Sequence, residues 1–123
     1  MSSLHSRPHL VPGLILFLAV AFGAFGAHGL KSHFLEHPDL EGVYKTAVLY
    51  HFIHGIALLW VSGRQNEKWR KPRWVFFFGI LIFSGSLYAL VLTEIRSFGA
   101  ITPIGGLLFL VGWVLVAIHP KSE

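Results

Sequence analysis

Histidine is the side chain with which this chain could do chemistry near neutral pH: there are eight, and no cysteine. Three groupings stand out. His51 and His54 lie within TAVLYHFIHGIALL, on a stripe at helical spacing formed by Tyr44, Ala47, His51, His54, Gly55, Leu58 and Ser62. His33, Glu36 and His37 spell HFLEH, the H-x-x-E-H order of a class of zinc proteases. His28 ends a tripeptide said three times, Ala-Phe-Gly, Ala-Phe-Gly, Ala-His-Gly, where phenylalanine would complete the pattern. Such histidines could ligate a metal or haem, handle protons, or hold a quinone or another small molecule.

What must position them is a membrane. With 54% hydrophobic and only 13% charged residues among 123, the chain has more apolar surface than a soluble core of this size can hide. Its mean hydropathy of +0.62 agrees. Four stretches are long and apolar enough to cross roughly 30 Å of hydrocarbon, at about residues 10–30, 43–62, 74–92 and 100–118. Helices alone satisfy their own backbone in lipid. The expectation is therefore one domain over residues 1–123, an all-α integral membrane four-helix bundle with short loops. The first run is longer than the apolar region of a cleaved leader and is followed by Lys31, so it reads as a retained helix.

Capping residues and charge complete the frame. Asp39 can cap the second helix, with Glu41 in its first turn, and Thr102-Pro103 suits the cap and first position of the fourth. Arg64, Lys68, Arg70, Lys71 and Arg73 fall between the second and third spans; with Arg7 and Lys121 they outnumber Lys31, Lys45 and Arg96 on the other side. The positive-inside rule then places both termini and the middle segment in the cytoplasm, with the protein multi-pass in a bacterial inner (plasma) membrane. Trp60, Trp69, Trp74 and Trp113 fall near the same face, as an aromatic belt would. The net charge of +4 is accounted for by this orientation, so nucleic acid is not an expected partner.

On the first helix Ala19, Gly23, Gly26 and Ala27 fall on one face, a small-residue seam for close helix packing, while Phe22, Phe25 and His28 drift to the other side. Mid-span, His51 and His54 share their depth with Ser84 and Ser86 of the third span, with Tyr50 and Tyr88 in reach. Polar groups at that depth must face protein or water, so a polar layer inside the bundle is expected. As interhelical glue each bond is worth under about 2 kcal/mol. As a zinc protease HFLEH would need its two histidines on a stable helix, a third ligand and a cleft, whereas Pro38 follows at once and the segment reads as a loop of about a dozen residues; adventitious metal binding by exposed histidines is the alternative there. A bis-histidine haem needs equal depths, and His28 stands about 10 Å from the level of His51 and His54. No metal or cofactor is expected.

GAFGAHGL (23–30), TAVLYHFIHGIALL (46–59), FSGSLYAL (83–90) and TPIGGLLFLVGW (102–113) together resemble the signature stretches of a small inner-membrane family, domain of unknown function 423, which is similar to transmembrane protein 256-like proteins. The resemblance implies four spans and no established activity. It places the family's second-helix histidine at His54, four after Tyr50, leaves His51 outside that pattern, and moves weight to His28, His54, Ser84, Ser86 and Thr102. The functional expectation is a non-enzymatic accessory, assembly or lipid-interacting bundle, with the bilayer and a membrane protein or second copy as partners. The alternative is binding of a small molecule, quinone, haem or metal, or passage of a small solute, at a polar layer around His54.

Overall fold

A computed structural model describes residues 7–64 and 66–120; Lys121, counted above for orientation, lies outside the described residues. Among the described residues there are helices and no strand. They are α1 (Leu10–His28), α2 (Lys31–Glu36), α3 (Pro38–Ser62), a 3₁₀ turn at Glu67–Trp69, α4 (Arg70–Thr93), a 3₁₀ segment at Arg96–Ala100, and α5 (Thr102–Ala117). The protein is an all-α membrane helical bundle built on the four long helices. By length and composition three stretches suit a membrane crossing: Leu10–His28, Glu67–Thr93 and Arg96–Ala117, with mean hydropathies of 2.3, 2.3 and 2.2. The 25-residue α3 is long enough to cross but is not among them. It carries Asp39, Glu41 and Lys45 in its first turns and two histidines further on.

The long helices pack in chain order, α1 on α3, α3 on α4, α4 on α5. α3 and α4 are therefore the inner pair, and all seven residues of the Tyr44-to-Ser62 stripe are buried. α1 and α5 keep an outer face of large apolar side chains, among them Phe17 at 69% and Leu110 at 65% exposed. Ala19 is wholly buried, and a Cβ on Gly26 would overlap the Tyr44 ring, so α1 meets α3 at close quarters here. Ala27 is exposed and drops out of the seam, because it follows Gly26 by 100° around the helix. A closer approach joins α5 to α4, where a Cβ on Gly105 would collide with the backbone of Phe83.

Two helix starts differ from expectation. α3 begins one residue before Asp39, with Pro38 in its first turn and His37 at the cap, and no side chain caps it. Asp39 turns instead to Arg96 at 2.7 Å. At α5 the cap position is Ile101; Thr102 is already helical and uses its hydroxyl elsewhere. The middle segment is shorter than a free loop: Asn66 caps the 3₁₀ turn by accepting from the Lys68 amide, and Arg70, Lys71 and Arg73 already belong to α4. At that end Trp69 stacks on His119 at 3.5 Å, so the chain's last described turn lies beside the middle segment.

Candidate functional site

Residues 51 and 54 are about 60° apart around α3, enough to aim them at different neighbours. Both are buried, at 5% and 4% exposure. His51 Nε2 lies 2.9 Å from the Ile15 carbonyl of α1; a carbonyl only accepts, so Nε2–H donates and Nδ1 accepts from the Tyr88 hydroxyl of α4 at 2.8 Å. Phe22 stacks on Tyr88 with centroids 4.4 Å apart, and the Tyr44 hydroxyl donates to the Phe22 carbonyl. Phe22 thus faces the bundle rather than drifting away with Phe25 and His28. His51 is the link among α1, α3 and α4.

His54 turns to α5. Its Nδ1–H donates to the Tyr50 carbonyl at 3.0 Å, and its Nε2 accepts from the Trp113 indole at 3.0 Å. The imidazole lies flat on Phe109, centroids 3.6 Å apart and planes 7° from parallel. Ser84, 1% exposed, donates to the Ala47 carbonyl at 2.8 Å. Ser86 donates to its own helix at Phe83, so its 2.6 Å contact with Thr102 is one in which the threonine donates.

The expected single polar layer is therefore a set of separate bonds radiating from the α3–α4 pair. Tyr50 contributes its carbonyl and a ring packed on Phe83 and Phe109, and is 38% exposed. His28 is exposed on α1 and is not brought to the others. Trp113, placed by sequence in an interfacial belt, is a partner of His54. The signal that could have found it is the pair Phe109 and Trp113, one turn apart on the face that also carries Gly105 and Gly112.

The opposite surprise is HFLEH. It is not a loop: α2 carries His33 and Glu36, His37 is the single residue between α2 and α3, and Glu94, just after α4, brings a third group. His33 Nε2 is 2.8 Å from the Val91 carbonyl, and His37 Nε2 is 3.2 Å from Glu94 Oε1. One ligand atom each of His33, His37 and Glu94 lies within 4.8 Å of the other two, so these residues could hold a metal ion. Glu36 of the same motif is exposed. Glu94 follows the last turn of α4 at φ 63°, the one non-glycine left-handed residue among those described. Beside it, the Arg96 guanidinium hydrogen-bonded to Asp39 holds that carboxyl below its usual range.

The model of a protein family of unknown function, DUF423, matches residues 22–106. The chain is 44% identical over 112 residues to a UPF0382 membrane protein of Staphylococcus aureus (strain bovine RF122 / ET3-1), covering 89% of this chain and 90% of that one. It is 46% identical to a UPF0382 membrane protein of Staphylococcus saprophyticus, covering 89% and 92%. A UPF0382 membrane protein of Staphylococcus epidermidis is 42% identical, covering 89% and 90%. No solved structure matches. The length and level of these matches, over the same helices that carry the histidines, make the chain a member of the DUF423 family of membrane proteins, whose function is not established.

Proposed function

We propose that the protein is a non-enzymatic, four-span scaffold of the bacterial plasma membrane, with both termini and the middle segment in the cytoplasm, that works by presenting apolar faces to lipid and to a membrane partner. One observation carries this reading. Both ring nitrogens of the two buried histidines are already bonded inside the bundle: His51 to α1 and α4, His54 to its own helix at Tyr50 and to Trp113 of α5, while Ser84 reaches α3 and Ser86 meets Thr102 of α5. A ligand at His54 would have to displace the Trp113 bond and part a ring stack. α3 crosses in this reading because its histidines face protein, which removes most of the penalty of polar groups in hydrocarbon. The cytoplasmic end is assigned by charge, and Lys68, Arg70, Lys71 and Trp74 line one surface groove there together with Glu67, which pairs with Arg70 at 3.8 Å, leaving a net positive lining suited to anionic headgroups.

Protein purified in mild detergent tests the reading by visible absorption, and by mass analysis of anything released on denaturation. The expected result is no Soret or quinone absorption and no stoichiometric small molecule. A chromophore or released compound present one per chain, and absent from His54→Leu, overturns the scaffold in favour of a ligand site.

A further inference from the structure

We propose that His33, His37 and Glu94 form a binding site for a zinc-class divalent cation, which fastens α2 and the start of α3 to the end of α4. The ligand chemistry is that of zinc: two imidazoles and a carboxylate, with the fourth position left to water. The geometry is close to it. Two ligands on a tetrahedral zinc, each about 2.0–2.1 Å from the ion, stand about 3.4 Å apart; His37 Nε2 and Glu94 Oε1 stand 3.2 Å apart. The third ligand atom lies within 4.8 Å of the other two and would close to about 3.4 Å around a zinc ion.

His33 is prepared for the task. Donating Nε2–H to the Val91 carbonyl sets its tautomer and leaves Nδ1 unprotonated, the outer-shell arrangement common to metal-binding histidines. The neighbouring cation does not oppose a metal, because Arg96 is neutralised by Asp39 at 2.7 Å. His37 and Glu94 side chains are 32% and 44% exposed, so an ion can arrive from water. Glu94 supplies an independent pointer. Its left-handed position after α4 is one where glycine is the ordinary choice, and the glutamate there sets its carboxylate 3.2 Å from His37 Nε2 and within 4.8 Å of a His33 nitrogen. The site stands apart from His54, so it neither needs nor weakens the scaffold reading.

The test uses the full chain in mild detergent, freed of metal by chelation, titrated with Zn²⁺ by calorimetry and with Co²⁺ by visible absorption. The expected result is one ion per chain, the intense d–d bands of low-coordinate cobalt, and a thermal midpoint that rises with zinc. His33→Gln and His37→Gln should each weaken binding at least tenfold. Glu94→Gly removes the carboxylate while relieving the backbone, so its metal-free midpoint should hold or rise while affinity falls at least tenfold. Glu36→Gln, within the same motif, should bind as the natural chain does. Absence of saturable binding by the natural chain below millimolar zinc overturns the proposal, as does binding that survives both His37→Gln and Glu94→Gly.

Discussion

At the scale of single residues, hydrogen-bond direction decides what a substitution costs. Tyr88→Phe leaves His51 Nδ1 without its donor in a buried place, and should cost about 1–2 kcal/mol of stability in detergent. Tyr50→Phe should cost little, since the Tyr50 ring edge is partly exposed and its carbonyl, which His54 uses, is untouched. Thermal or steric-trapping stability of the two variants, side by side, checks the assignment; equal losses would contradict it. Asp39 offers a pH test. Its carboxyl is held below the ordinary 3.8 by the Arg96 hydrogen bond, so its contribution is present above that value and is lost as pH falls through the lowered one. Arg96→Ala should return the Asp39 titration, followed by NMR, toward its ordinary position. The pair is exposed, so added salt should weaken the difference.

At the scale of elements, close approach rather than helix propensity sets which glycines matter. Gly105→Ala places a methyl group against the Phe83 backbone, which cannot turn aside as a side chain can, so α5 must shift from α4. Gly85→Ala meets open space on α4 and should be neutral or stabilising by up to about 1 kcal/mol. Gly26→Leu on α1 should also be damaging, because Tyr44 both fills the gap and donates to the Phe22 carbonyl. Detergent melting curves that rank Gly105→Ala no worse than Gly85→Ala would show that the α4–α5 contact is looser than described.

At the scale of the whole molecule, the absence of native cysteine permits a clean accessibility scan. Ser32→Cys should label with an impermeant thiol reagent from outside intact cells, and Lys68→Cys only after the membrane is opened. Labelling at position 68 but not at 32 from outside would invert the orientation, and labelling at both would leave α3 out of the membrane. A three-crossing arrangement that left α3 out would separate the ends that the fold joins, and would place positions 32 and 68 on the same side. The scan therefore tests α3 as well as the direction.

Helical class, membrane setting, the buried stripe on α3 and the close approach of α1 at Ala19 and Gly26 were legible in the chain, because periodicity and hydropathy are local properties that any window of a dozen residues carries. The four signature stretches also announced the family. Neighbours across helices were legible only as shared depth, which put Tyr88 in reach of both α3 histidines without saying which of them it meets. Nothing local says that His51 faces Ile15 and Tyr88 while His54 faces Trp113, since 60° on a helix chooses between partners only after the helices have taken their places. HFLEH shows the same limit most clearly. Read along the chain it is a motif without a third ligand; folded, it meets Glu94, 57 residues beyond His37, because the end of α4 returns to the start of α3 and sets the Glu94 carboxylate 3.2 Å from His37.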